Sequence, residues 1–465
     1  MIRTLLICIS VLTVVVFSPP SLGAELRAGV AVTDITPPVP WRMSGYFYER
    51  VSTGVKDPLH AKAIVFQQGG VSAALVFCDI IDIPRKVSQR ARELASQATG
   101  IAVENIAVAA THSHTGPLYH GPMRDLFHRR TVEQLGSDPS ESIDYPAKLV
   151  EQIVAAVVQA KAALQPVTLA AGGVREDRLA FNRRFHMKNG TVQFNPGRLN
   201  PDIVRAAGPI DPEVGVISLQ RPGADAPFAA VISYALHLDT VSGTEYSADY
   251  PRHLEDGLRA MFGKEFVALF GTGTCGDINH IDVNAEDVRT AEAIGAALAE
   301  TTGQALQKGG LTPVAEPDLA VRHATFDAPL QVYSAEEVAK AKEDLEIIGQ
   351  RKLSFLDEVK AYAIVEVSEY ESPTLPLEVQ AFRLRRDVAV VTLPTEIFVE
   401  LGLAIKAASP FKTTLVIELT NDSLGYIPTK KAFAEGSYET VNSRVQPGAG
   451  EALVEAAIVL LKELK

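Results

Sequence analysis

Short, almost wholly apolar runs recur along this chain, and amphipathic stretches alternate with them. Residues 61–67 and 73–79 are two such runs, separated by Gln68-Gly69-Gly70-Val71-Ser72, which predicts a hairpin. Residues 84–98 then read as a helix and 106–110 as a buried strand. An alanine-rich helix over 145–164 follows, then strands over 228–236 and 266–270 with a helix over 250–262 between them, and a helix over 287–307. A second hairpin pairs 377–385 with 388–392 around Arg386-Asp387; helix 397–408, strand 414–419 and helix 450–464 close the chain. This alternation specifies α/β architecture with mixed, layered sheets rather than separate all-α and all-β parts. The sequence itself contains no visible internal repeat, low-complexity tract or linker.

Several of these strands end in polar or metal-capable residues: Thr111-His112, His237, Gly271-Thr272-Gly273, Glu396 and Asn421-Asp422. Ligands of α/β folds collect beyond the carboxyl ends of strands, so these residues are expected to share one site.

Composition narrows what that site handles. Hydrophobic residues make up 47% and charged residues 22%, an ordinary soluble balance. A net charge of -12 argues against nucleic acid or an anionic membrane as the main partner. The N-terminus reads as a secretory signal peptide over residues 1–24: Met1-Ile2-Arg3, an apolar run over 4–17, and small residues and prolines up to a cleavage point near Gly23 or Ala24. The run is shorter than the roughly 20 residues of a membrane span. Export to the periplasm or outside is expected, with residues 25–465 as a single domain and no later transmembrane span. Cys8 lies in the leader; Cys78 and Cys275 each follow a strand-like run and read as buried thiols rather than a bridge. Nothing specifies an oligomeric state.

His112 and His114 stand two apart after a strand, so in extended backbone both rings face one side. Zinc prefers such nitrogen ligands with a carboxylate, leaving one position for water at a catalytic site. The plain alternative is a loop histidine with ordinary hydrogen bonds. His237 ends a strand and is equally open to a structural reading. Glu396 opens the predicted helix over 397–408, where an acidic side chain would complement the helix dipole. Tyr426 could simply pack over a turn. The stretch Gly271-Thr272-Gly273-Thr274-Cys275-Gly276-Asp277 lacks the Gly-Lys-Ser/Thr ending of a phosphate loop, and its glycines better suit close backbone approach at a metal cleft. Asp79, Asp82 and Asp249 are candidates either for orienting a histidine or for capping turns and helices. His60, His120, His128, His186, His253, His280 and His323 have no strong claim.

In order and local wording these segments resemble the neutral/alkaline (non-lysosomal) ceramidase family. Thr111-His112-Ser113-His114-Thr115-Gly116-Pro117 is similar to its Thr-His-Thr-His-Ser-Gly-Pro block. Ala235-Leu236-His237 resembles its second histidine block, Leu393-Pro394-Thr395-Glu396 its Pro-Gly-Glu block, and Gly425-Tyr426 its metal-binding tyrosine block. The resemblance implies the fold of that family's catalytic domain and a zinc ion bound by His112, His237, Glu396 and Tyr426. It implies His114, Arg183 and Tyr438 as the groups acting on substrate. Asn182, Asp277, Asn279 and Asp249 are expected around them, at the substrate or behind the ligands.

Two departures stand out. Asn279 occupies the place of the family's proposed serine nucleophile, and an amide cannot serve as one. The chain also ends soon after Tyr438, with no counterpart of the C-terminal immunoglobulin-like domain. The implied reaction is hydrolysis of an amide (N-acyl) bond in a small-molecule or lipid-like substrate, by zinc-activated water. Its rivals are an ester or N-acyl sugar on the same scaffold, and a non-catalytic extracytoplasmic binding protein that keeps zinc as a clip.

Overall fold

The computed structural model describes residues 24–307, 309–350 and 353–465, so the expected leader lies outside the described residues except for its last position, Ala24. Strands β1 (Arg27–Asp34), β2 (His60–Gln68) and β3 (Val71–Cys78) pair antiparallel in sequence, and helix α1 (Arg85–Thr99) carries the chain to β4 (Ile106–Ala110), parallel to β3. Helices α2 (Gly121–Leu135) and α3 (Tyr145–Ala162) follow. The same path is then taken again. Strands β5 (Thr168–Arg175), β6 (Glu213–Gln220) and β7 (Pro227–Tyr234) are antiparallel, and helix α4 (Tyr250–Phe262) delivers β8 (Val267–Thr272) parallel to β7.

After α5 (Ala291–Gln307) a third copy begins with β9 (Ala320–Pro329), is interrupted by α6 (Ala335–Ile347) and α7 (Phe355–Glu369), and resumes with β10 (Thr374–Arg385) and β11 (Val388–Thr392). Helix α8 (Val399–Ala408) then leads to β12 (Thr413–Ile417), parallel to β11, and α9 (Ala449–Leu464) closes the chain. All three sheets thus share one order: an outer strand, a hairpin and a parallel strand reached through a helix. This threefold repetition leaves no mark in the residues, because topology depends on pattern and connections rather than identity.

Burial explains the apolar runs. Alternate side chains of a strand point to opposite faces, and here both faces are covered. Ala61, Ala63 and Val65 of β2 pack towards α1 and α3, while Ile64 and Phe66 face a core shared with Ile217, Val231, Phe382 and Leu415 of the other two sheets. Helices α4 and α5 cover the second sheet, α8 and α9 the third. A strand buried on both sides has no polar face to alternate with, so its sequence reads as a continuous apolar stretch.

Helices α2, α6 and α7 were not legible in this way. Only Leu126 and Phe127 of α2 are buried; they form a separate small core with Tyr362, Ile364 and Val365 of α7. Among the described residues no helix is long and apolar enough to cross a membrane.

At one end the three repeats are stitched together. The Thr272 hydroxyl donates to the Thr111 carbonyl (2.6 Å), and the Glu418 N–H to the Thr272 carbonyl (2.9 Å). The Ala110 N–H donates to the Leu419 carbonyl (3.0 Å) and the Asn421 N–H to the Val108 carbonyl (2.8 Å). With the bonds from the Gly273 N–H to the Tyr234 carbonyl (3.0 Å) and from the Leu419 N–H to the Thr395 carbonyl (3.0 Å), they hold the loops after β4, β7, β8, β11 and β12 over one another, which is the shared site expected from the strand ends.

Candidate metal centre and active site

His112 follows β4 with φ 80, a left-handed backbone that few non-glycine residues adopt. Its N–H donates to the Ile80 carbonyl (2.9 Å) and its Nδ1–H to the Ile81 carbonyl (2.8 Å), which aims Nε2 into the site. His237, after β7, points its Nδ1 at the Cys275 carbonyl (3.4 Å). With both Nδ1 atoms facing carbonyls, the two Nε2 atoms meet lone pair to lone pair at 2.9 Å. The Glu396 Oε2 atom lies 3.3 Å from His112 Nε2 and 3.7 Å from His237 Nε2, buried and without a hydrogen bond of good geometry. Two facing lone pairs and a buried carboxylate oxygen without a partner are the donor set that a divalent cation satisfies. Zinc therefore fits these residues.

Glu396 does not sit in a helical first turn, as its sequence position suggested. Residues Glu396–Ile397 form a two-residue strand parallel to Tyr426–Ile427, and α8 begins only at Val399. The pairing puts Glu396 beside Tyr426 in register. Burial pushes the Glu396 carboxyl up, but His112, Arg183 and the Tyr426 hydroxyl hold it below its ordinary range. The chain also approaches itself closely here: a Cβ on Gly276 would come within 3.0 Å of the Ile397 backbone, in keeping with the role expected of the glycines.

His114 joins the cluster with its Nε2 3.3 Å from His112 Nε2, while its Nδ1 is buried without a hydrogen bond. The donor atoms of His112, His114 and His237 all lie within 4.8 Å of one another. What separates His114 is the missing carbonyl behind the ring and the absence of a close contact to Glu396. Burial and the neighbouring His112 push it down to about 3, so at neutral pH it is an uncharged imidazole. Burial and the same neighbour depress His237 too; burial also acts to lower His112, but the Glu396 carboxylate outweighs it and raises that ring to about 9, a shift that a cation would reverse by taking the Nε2 lone pair the proton would occupy.

Arg183 is buried and held on three sides. Its Nε donates to Glu439 (3.1 Å), Nη2 to the Gly276 carbonyl (2.7 Å) and Nη1 towards His237 Nε2 (3.5 Å). The guanidinium lies 5.0 Å from the Phe194 ring, 5.4 Å from Tyr426 and 5.9 Å from Tyr438. Tyr426 and Tyr438 are themselves 5.4 Å apart. His112, His114, Glu396, Tyr426 and Tyr438 line one cavity of about 180 Å³, walled by Tyr46, Phe47, Leu118 and Tyr362.

Of the expected residues, His237 and Arg183 touch the cluster without lining the cavity, and four others serve elsewhere. Asn182 donates to the Asp277 carboxylate (2.7 Å), whose other oxygen accepts the Val399 N–H (2.8 Å); the pair ties the Arg183 segment to the start of α8. Burial lifts the Asp277 carboxyl to about 6. Asn279 donates to Asn195 (2.8 Å) and accepts from the Ile281 N–H (3.0 Å), so both ends of its amide are committed to loops rather than to substrate. Asp249 touches no histidine: it accepts from the N–H groups of Thr240, Val241 and Tyr250, fastening the loop after His237 to the N-terminus of α4. Backbone carbonyls, not carboxylates, orient the two facing imidazoles.

The structure also adds His120 and Ser423, which had no signal in the sequence, beside Asp82, which did. His120 Nε2 lies 2.6 Å from Asp82 Oδ1, the Ser423 hydroxyl donates to Asp82 Oδ2, and all three line the cavity. Asp82 does orient a histidine, though not one at the metal site. A second cluster, His128, Asp138 and Glu141, is close enough to hold an ion, but Arg42 and Arg124 already pair with its carboxylates.

Residues 26–279, more than half of the chain, match the profile of the neutral/alkaline non-lysosomal ceramidase family, N-terminal. No match is found among curated proteins. The fold is similar to that of neutral ceramidase from Pseudomonas aeruginosa, with a TM-score of 0.69 and 19% identity over 95% of this chain and 74% of that one. It is likewise similar to a ceramidase complexed with C2, with a TM-score of 0.68 and 18% identity over 95% and 75%. The chain belongs to the neutral/alkaline non-lysosomal ceramidase family.

Proposed function

We propose that this chain is an exported zinc-dependent hydrolase of amide (N-acyl) bonds, with residues 25–465 as one catalytic unit. The observation that carries the reading is the pair of imidazole Nε2 atoms facing each other at 2.9 Å beside the unpartnered Glu396 oxygen. His112, His237, Glu396 and Tyr426 would hold the ion. When bound there, zinc supplies Lewis acidity that polarises an acyl carbonyl and makes water a nucleophile at neutral pH. The chain's own groups do the rest. Arg183, the Tyr438 hydroxyl and the neutral His114 ring are donors for the negative charge developing on the acyl oxygen. Tyr46, Phe47 and Tyr362 offer an apolar wall to the rest of the molecule.

Family membership and a related ceramidase bound to C2 support a lipid-like N-acyl substrate. The committed Asn279 amide is consistent with a reaction that uses water and no side-chain nucleophile. The same donors would act on an ester, and a panel of matched N-acyl amine, ester and N-acyl sugar substrates separates these bonds. His112→Ala and His237→Ala should each lose both stoichiometric zinc and activity. Full zinc content in both variants would refute the assignment.

A further inference from the structure

His120 was unremarkable in sequence, yet its ring is held by a carboxylate at the cavity wall. Its Nε2–H donates to Asp82 Oδ1 at 2.6 Å. The Tyr119 hydroxyl donates to the Asp82 carbonyl (2.9 Å), and the Tyr119 ring stands edge-on to His120 at 4.7 Å, fixing its plane. The Ser423 hydroxyl holds the second Asp82 oxygen, so the carboxylate cannot swing away. Nδ1 is the ring's remaining polar atom, and it has no protein partner among the described residues. Asp82 directly follows Ile81, whose carbonyl orients His112, so one segment sets the position of both the dyad and the candidate ligand. The cavity of about 180 Å³ is smaller than the roughly 300–1,000 Å³ typical of ligand sites. His120 lines this one cavity together with His112, His114 and Glu396.

We propose that His120, oriented by Asp82, is the general acid that protonates the departing amine nitrogen. This rests on the amide-hydrolase reading above. Water adds across the acyl C–N bond: a C–O bond forms, the C–N bond breaks and its electron pair stays on nitrogen. That nitrogen takes the proton from His120 Nδ1, the attacking water gives its own proton up to solvent, and the partly exposed ring regains one from solvent at the cavity mouth. An acid fixed by a carboxylate is the arrangement this step needs. Burial acts to lower the His120 ring, but Asp82, with Glu366 and Asp125, raises it above its ordinary value.

The test compares two substrates with the same acyl group, an N-butanoyl alkylamine and p-nitrophenyl butanoate, on the zinc-loaded enzyme. An alkylamine must be protonated to leave; p-nitrophenolate need not be. His120→Gln should lower kcat/KM for the amide by about 100-fold or more, within the range of a lost general acid, and leave the ester and the zinc content essentially unchanged. Asp82→Asn should produce the same selective loss. Equal losses on both substrates, or none on the amide, would overturn the assignment. A wild-type enzyme that cleaves neither substrate would instead refute the hydrolase reading, and this inference with it.

Discussion

Restoring a serine at position 279 is the most direct way to ask whether this chain lost a nucleophile or never had room for one. Asn279 is fully buried; its amide bridges Asn195 (2.8 Å) and the Ile281 N–H (3.0 Å). The Asn195 N–H in turn donates to the Arg183 carbonyl (2.9 Å). A serine side chain is too short to keep both contacts. Each buried partner left unsatisfied costs about 1–3 kcal/mol, so Asn279→Ser should destabilise the fold by about 2–5 kcal/mol. For a chain of this size the unfolding entropy is about 1 kcal/mol/K, which converts that loss to a Tm decrease of roughly 2–5 °C. Because Asn195 supports Arg183, amide hydrolysis should fall as well, with zinc content intact. Differential scanning calorimetry, metal analysis and turnover of an N-acyl amine measure all three. A serine variant with unchanged Tm and increased turnover would refute the reasoning, since it would mean that position 279 reaches the substrate.

Two further outcomes follow from the buried charges. Asp79 is buried, accepts the His60 N–H (3.0 Å) and is pushed by burial up to about 6; a carboxyl raised in the fold favours folding below its unfolded value near 3.9 and loses that advantage as pH rises through about 6. Asp79→Asn, which imitates the protonated acid, should therefore become more stable relative to wild type by up to about 3 kcal/mol between pH 4 and pH 8 in urea unfolding, and parallel profiles would contradict the assignment. Arg183→Lys leaves Glu439 paired with Arg184 (2.7 Å), but one ammonium cannot replace the fork that joins Glu439, Gly276 and the His237 edge. It should lower kcat by about 10²–10³-fold without loss of zinc, and an unchanged kcat would remove Arg183 from the reaction.

Legibility tracked burial and capping. The strand read over 106–110 and the helix read over 250–262 agree with the structure at both ends. The first lies between the polar Asn105 and Thr111; the second is bounded by Asp249 and Gly263. Helix α6 carries a capping box at Ser334 and Glu337 that the hydrophobic pattern obscured. Strand β9 was missed because an outer strand with mostly half-covered and exposed residues has no continuous apolar run.

Sequence by itself was enough to specify the layered α/β class, the buried thiols and the chain order of His112, His237, Glu396 and Tyr426, because binary pattern and short motifs are local properties. Only the tertiary structure decided which of these atoms meet. The facing Nε2 atoms come from residues 125 apart, the His120–Asp82 pair from residues 38 apart and the Arg183–Glu439 bond from residues 256 apart. The first and last of these close only when the three sheets pack on their shared core and are tied by the backbone bonds at their carboxyl ends. The same docking turned Asn279, Asp277 and Asp249 away from the cavity, since each satisfies buried loop groups that local sequence cannot reveal.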